Sequence, residues 1–466
     1  MSTRFQTRML PVLIICITAT AVSAKTDGGA INAELIQRFE QKLNYTEKDR
    51  AIMNAATATD LKQLTLNREM LNRHNDIFSM KINTEGITDQ KSTGRCWMFA
   101  GFNIMRPVVM KKYNLASFQF SQNYLFFYDK LEKANLFLEQ IIATADRDFD
   151  DRLLQKYLED PVADGGWWNY FTALIEKYGA VPKEVMGETV NSEKSYNMNF
   201  ILNNLLRTDA VILRKMVQDK ARNKAIQAQK EEMLAEVYRL LVYNLGQPPQ
   251  EFIWKYCDKN ETIFEKRFTP QQFYTEAVGI DLSEYVMIFD HAMHPYNKYY
   301  RMEFCRNIVE KPDMDFINLD IATIKELTLA ALLDSLPVWF AADVSHHMER
   351  DHGIMAVDIF DYETLFDIDL TLSKKNRLLT RTLTPNHGMV FTGVDIVEGK
   401  PVKWLVENSW GTDTGKEGRW SMYDDWFDDY VLTIVLPKNR LPQNIQDLLK
   451  TKPTILPPWD PMSLVK

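Results

Sequence analysis

Cysteine is scarce in this chain. It has 4 among 466 residues, and one of them, Cys16, lies in the N-terminal stretch treated below. The remaining Cys96, Cys257 and Cys305 form no Cys-x-x-Cys pair. That excludes a zinc knuckle and a disulfide framework as what holds the fold together. A single Cys257–Cys305 bridge and two separate buried thiols both remain open. An excess of positive charge is also missing: the formal net charge is -8. This argues against nucleic acid as a default partner. Glycine and proline number only 18 each, and no low-complexity tract suggests extensive disorder. There is no internal repeat. Beyond the N-terminus no segment has the uninterrupted apolar length, about 20 residues, that a bilayer crossing needs.

Apolar side chain is plentiful. Hydrophobic residues make up 45% of the chain and aromatic residues 12%, enough for a large core in more than one packed lobe. At the start, Arg4 and Arg8 precede an apolar stretch, Met9 to Ile17, and the small-residue pattern Val22-Ser23-Ala24. Residues 1–24 therefore read as a signal peptide. The expectation is an exported protein, periplasmic or secreted, without a membrane anchor.

Residues 25–85 are polar and mixed, with helices expected over Ile31–Leu43 and Thr46–Ala56. Residues 86–193 read as a helical lobe. One helix begins at Cys96 and reaches about Met105, after which Pro107 kinks it or opens another. A second is capped by Ser121 and carries Tyr124, Phe127, Tyr128 and Leu131 on one face. A loop at Asp164-Gly165-Gly166 leads to a helix over Trp168–Tyr178 that stops at Gly179. Residues 194–310 read as a helical insertion, with one long helix expected from Asp209 to Leu245. Its middle carries Arg214, Lys215, Lys220, Arg222, Lys224 and Lys230 against Asp219. A solvated protruding helix is the plain reading, and a surface for polyanions the alternative. Residues 311–440 turn to strands after a helix at Leu327–Leu333. Pro337–Val344, Gly388–Ile396, Lys403–Glu407, Gly418–Met422 and Tyr430–Leu436 predict a twisted antiparallel sheet or small barrel. Residues 441–466 end in a proline-rich tail that cannot be helical and is expected to dock on the surface. The fold class is α+β.

Chemistry concentrates at Gln90 to Ala100, which places Cys96 after a turn and at the head of an apolar run. A helix N-terminus favours the thiolate, the reactive form of cysteine. The amide of Gln90 could donate to a developing oxyanion. Taken alone, Cys96 reads better as a buried thiol at a helix start. Acyl transfer by a thiol also needs a base and a group that orients it. Among 7 histidines, His387 opens a clean strand, and Asn408-Ser409-Trp410-Gly411 closes another. Asn408 could accept from the imidazole, with Trp410 shielding that bond. His346, His347 and His352 cluster near Asp351, but match no helical ligand pattern. A polar loop is the better reading there, and neither metal nor cofactor is expected.

Gln90, Cys96-Trp97, His387 and Asn408-Ser409-Trp410-Gly411 together resemble the papain-type cysteine peptidases. Cys96 and His387 are about 290 residues apart, roughly twice the ~130–150 of papain and cathepsins. That long form resembles the bleomycin hydrolase and aminopeptidase C family. Phe120-Ser-Gln-Asn-Tyr-Leu-Phe-Phe, Asp164-Gly-Gly, Pro337-Val-Trp-Phe and Trp459-Asp-Pro-Met support the resemblance. It implies a papain-like fold with a large helical insertion, and an aminopeptidase acting on peptides through an acyl-enzyme. It implies Cys96 as nucleophile, His387 as general acid/base, Asn408 as its orienter and Gln90 in the oxyanion hole. Gly165 and Gly166 would run beside the substrate backbone. The C-terminal arm would lie in the cleft, its carboxylate facing the substrate's amino group, with Lys466 trimmed by the enzyme itself. Thr93 stands where papain has a disulfide cysteine, and Gly388 where alanine is expected. The resemblance also implies a homo-oligomer, a hexamer, and usually a cytoplasmic one, against the signal peptide. The alternatives are an endopeptidase or carboxamide hydrolase with the same triad, or a nucleic-acid-binding protein using the basic helix.

Overall fold

The computed structural model describes residues 29–463. Residues 1–24, read from sequence as a signal peptide, and Lys466 lie outside the described residues. The chain divides into two compact units, Met1–Leu64 and Thr65–Lys466. In the first, Asn32 caps α1 (Ala33–Leu43) by accepting from the Leu35 N–H. Thr46 and Asp49 form a reciprocal capping box on α2 (Glu47–Ala58), close to the bounds expected from sequence.

The second unit is built on α3 (Cys96–Lys112), α4 (Gln122–Ala143), α5 (Trp168–Tyr178), α6 (Tyr196–Gln218), α7 (Asn223–Leu245) and α8 (Ile321–Leu333), with shorter helices between. Ser121 caps α4, its hydroxyl accepting from the Tyr124 N–H. Gly179 ends α5 at φ +72°, in a space where a side chain would collide with the Pro270 carbonyl. Helix α3 runs through Pro107 without ending there. It is buried over most of its length and packs on the sheet and on α5, which outweighs the hydrogen bond that proline removes.

The long helix expected over Asp209–Leu245 is two helices. Lys220 adopts φ +59° between α6 and α7, and the pair packs against each other and against α4. The basic run is divided accordingly. Arg214 is buried and donates to the carbonyls of Thr144 (2.8 Å) and Arg147 (2.5 Å). Lys215 pairs with Asp219 at 2.8 Å, and Lys230 pairs with Glu139. The long helices of the 194–310 segment end at Leu245, and beyond them only short helical turns between Pro270 and Glu284 remain. After Leu245 come the hairpin β2 (Phe252–Cys257) and β3 (Ile263–Phe268), then β4 (Tyr285–Phe289) and β5 (Lys298–Met302).

The main sheet also takes in β1 (Met80–Lys81), β6 (Met314–Asn318), β7 (Val338–Ala342), β8 (Met348–Glu349), β9 (Ile354–Met355), β10 (His387–Val397), β11 (Lys400–Glu407), β12 (Arg419–Tyr423), β13 (Val431–Pro437) and β14 (Thr454–Leu456). Its order is β14-β5-β6-β4-β13-β7-β10-β11-β12-β9-β8, with β1 on β10. The sheet is mixed rather than wholly antiparallel. Its parallel pairs β14/β5, β4/β6 and β12/β9 are not sequence neighbours, so no hairpin signal encodes them. One hydrophobic core runs through the helices and this sheet. The tail does dock: β14 adds to β5, and Pro461–Ser463 then forms a single buried 3-10 turn despite its proline.

Two packing relations set the site. β10 and β11 form an antiparallel pair with Val390 opposite Glu407, so His387 and Asn408 lie at the same end. Helix α3 packs on β10 and β7, which sets its first residue over the start of β10.

Candidate active site

Cys96 is the first residue of α3 and is buried. Burial pushes its thiol pKa up, while the backbone N–H groups of Gly388, Trp97 and Cys96 itself pull it down. Gly388 explains one departure from the family pattern. A Cβ there would lie 3.2 Å from the Trp97 Cα. The absent side chain lets β10 approach the start of α3 closely.

His387 is buried, and its Nε2 bonds Asn408 Oδ1 at 2.7 Å. That leaves Nδ1 as the nitrogen free to serve the thiol. The same Asn408 oxygen accepts from the Ser409 N–H at 2.7 Å, which fixes the amide. The Trp410 ring lies over the imidazole, 4.6 Å between centroids, and covers the bond as expected. Burial lowers the His387 pKa to about 4; the Asn408 hydrogen bond opposes this and the Arg350 charge adds to it.

Gln90 is gripped at both ends of its amide. Its Nε2 donates to the Thr93 carbonyl at 2.6 Å, and its Oε1 accepts from the Ser409 hydroxyl at 2.7 Å. The other N–H of Nε2 has no partner among the described residues, and Gln90 lines the same space as Cys96. Gly166 has a packing reason to be glycine: a Cβ there would sit 2.5 Å from the Trp97 indole. That indole donates to the Asp164 carbonyl at 2.9 Å, and its backbone carbonyl accepts from Trp339 at 3.1 Å. Gly165 gives its carbonyl to Lys133 at 2.8 Å. The Gly166 peptide groups have no partner among the described residues.

Cys96, Gly165, Gly166 and His387 line one narrow cleft. To one side is a cavity of about 860 Å³ bordered by Gly165, Tyr170, Tyr196, Phe200, Pro458 and Ser463. The C-terminal segment therefore reaches the cleft side marked by Gly165. On the other side Cys96 and His387 also line a space of about 480 Å³ with Gln90, Arg350 and Trp410.

Several supporting residues escaped the sequence reading. Asp164 accepts from Lys130 (2.6 Å), Ser195 (2.5 Å), Asn199 (2.7 Å) and the Gly94 N–H (3.1 Å). Lys130 and these hydrogen bonds hold its carboxyl below the usual range despite burial. Arg106 of α3 and Glu407 of β11 form a buried ion pair at 2.7 Å, with Thr84 also donating to Glu407. His291 and His294 meet Asp460 of the tail at 2.9 and 3.2 Å. Their partner lies over 160 residues away, beyond any spacing rule. His346 and His352 diverge instead, to the Thr382 carbonyl (2.9 Å) and Glu349 (2.8 Å). Cys257 is exposed and Cys305 buried, both as free thiols, so no bridge joins them.

The Peptidase C1-like family matches residues 30–463. The chain belongs to that family. It is 40% identical over 437 residues to Aminopeptidase C of Streptococcus thermophilus, covering 93% of this chain and 98% of that protein. To Aminopeptidase W of Lactobacillus delbrueckii subsp. lactis it is 36% identical over 431 residues, covering 92% and 98%. The crystal structure of PepW from Lactobacillus rhamnosis HN001 is similar at a TM-score of 0.92 and 41% identity, covering 94% of this chain and all of that one. In this Peptidase C1-like chain the helical layer and mixed sheet are thus the papain-like fold, and no described helix is long and apolar enough to cross a membrane.

Proposed function

We propose that the chain is a cysteine aminopeptidase that releases N-terminal residues from peptides. The observation that carries this reading is the His387–Asn408 bond, roofed by Trp410, in one cleft with Cys96. Burial disfavours a lone charge on either Cys96 or His387. Moving the thiol proton to Nδ1 creates both charges together, each the partner of the other. The sulfur then attacks the scissile carbonyl carbon, and the oxygen takes up the electron pair. The Cys96 N–H and the free Gln90 N–H donate to that oxyanion. Its collapse breaks the C–N bond, and His387 protonates the departing amine. Water, deprotonated by His387, hydrolyses the thioester and restores the thiol. The unpartnered Gly166 peptide suits a strand-like contact with the substrate backbone.

The entry of Pro458 and Ser463 into the cavity beside Gly165 supports a role for the tail in choosing free amino ends. A C-terminal carboxylate there would attract an ammonium in a partly desolvated cleft. Lys466 is proposed to be trimmed by the enzyme, so intact mass should fall by one lysine in wild type but not in Cys96→Ala. Exposed Val190, Tyr196, Phe200, Ile201, Val211 and Ile212 support self-association, proposed to be hexameric and checked by light scattering. Export is proposed on the pattern of residues 1–24, with N-terminal sequencing of fractionated protein as its test.

The deciding assay compares aminoacyl-arylamides with their N-acetylated forms. Turnover of the free amines that vanishes in Cys96→Ala is expected. Preference for the acetylated form would point to the endopeptidase reading, and undiminished turnover by Cys96→Ala would overturn the mechanism.

A further inference from the structure

The 480 Å³ space beyond His387 has no role yet. If the tail and Gly165 mark where the amino end of the substrate lies, this opposite side receives the departing amine half. Three charged side chains line it: Asp89, Lys91 and Arg350. Asp89 and Lys91 pair with each other at 2.5 Å. Arg350 has no ion pair and its guanidinium no hydrogen bond among the described residues. It lies over Trp410, 4.9 Å from the ring centroid, on the same indole that covers His387.

Arg350 is exposed, and an exposed arginine alone is satisfied by water and signifies little. This one lies against the Trp410 ring and lines the same space as Cys96 and His387. Stacking restricts the guanidinium and leaves its N–H fork to face an anion. Carboxylates match that fork in a planar, two-point contact. Any dipeptide carries a carboxylate on the first residue after its scissile bond, and an aspartate or glutamate at that position offers the same group. The neighbouring Asp89–Lys91 pair carries no net charge, so Arg350 gives this side of the cleft its sign.

We propose that Arg350 and Trp410 form a carboxylate subsite on the leaving-group side, which makes the protein favour dipeptides, or peptides acidic just after the cleaved bond, over neutral leaving groups. The proposal rests on the aminopeptidase reading and names its substrate class. It is tested with Ala-Ala, Ala-Ala amide, Ala-Glu amide and an alanine arylamide, on wild type, Arg350→Gln and Arg350→Lys. In wild type, kcat/KM for Ala-Ala or Ala-Glu amide over Ala-Ala amide is expected to be about tenfold, carried by KM and eroded by salt. Arg350→Gln should collapse that ratio toward one, and Arg350→Lys should restore part of it. A response of Ala-Ala alone assigns the terminal carboxylate, and of Ala-Glu amide alone the acidic side chain; either supports the subsite. A wild-type ratio near one, or Arg350→Gln slowing every substrate with the ratio intact, overturns it. If the arylamide is turned over but the ratio is absent, only the subsite fails. If no substrate is turned over, the aminopeptidase reading fails and the subsite with it.

Discussion

At the scale of single residues, the site is governed by what burial does to charge. In a Cys96→Ala protein the imidazole of His387 faces its buried surroundings without the thiol. Burial lowers its pKa to about 4, below the ordinary value of 6.5. The unfolded chain then binds a proton between those values that the folded chain refuses, so stability should fall as pH drops from 6.5 toward 4. Replacing His387 by glutamine in the same background should flatten that window by up to about 3 kcal/mol, read from urea unfolding at stepped pH. Gly166→Ala is a second test: its Cβ would meet the Trp97 indole at 2.5 Å. The expected cost is about 1–3 kcal/mol of stability, with lost turnover, by thermal unfolding and arylamide assay. Cys96, His387 and Asn408 could be singled out in the sequence because thiol chemistry restricts which residue types can serve. Ser409, Asp164 and Arg350 could not, since serine, aspartate and arginine have many uses and their partners here come from distant segments.

At the scale of elements, the helix that carries Cys96 and the strand that precedes Asn408 are joined by one buried ion pair, Arg106–Glu407. Burial raises the Glu407 pKa, and Arg106 and Thr84 oppose that shift. Glu407→Gln leaves the Arg106 charge uncompensated and should cost about 3–5 kcal/mol in denaturant unfolding. An Arg106→Met/Glu407→Met double variant should recover much of that loss, so a cycle with the single variants measures the coupling. Strand positions were readable from short runs rich in Val, Trp, Phe and Tyr bounded by turn residues. The break at Lys220 was not, because its flanks share one helical pattern and lysine carries no turn signal. Parallel pairings were equally hidden, since they are decided by where the whole chain returns.

At the scale of the whole molecule, the tail is the part whose placement depends on the most distant contacts. Asp460 is clamped between His291 and His294. The imidazole hydrogen bonds hold its carboxyl well below the usual range, although burial opposes them. A carboxylate shifted this way stabilises docking above its unfolded pKa, about 3.9, and that contribution is lost as pH falls through the folded value. Docking should therefore persist in mild acid. Asp460→Ala should weaken it by on the order of 3 kcal/mol and let N-acetylated peptides enter, measured by limited proteolysis of the tail and by the acetyl/free-amine rate ratio. The tail's prolines announced a docked, non-helical segment, which the 3-10 turn at Pro461–Ser463 departs from, and nothing in it named the two histidines that receive it.

Trp97 sits wedged between Gly166 and Gly388, bonded to Asp164 on one side and to Trp339 on the other. For anyone redesigning this peptidase, that wedge fixes where change is possible. Saturation of position 166 should return almost nothing but glycine, and position 388 should accept little more than alanine. The floor under the cleaved bond has no spare volume in which to encode a new preference. New substrate ranges would have to be written at the two ends of the cleft, around Tyr196, Phe200 and Ser463 or around Arg350.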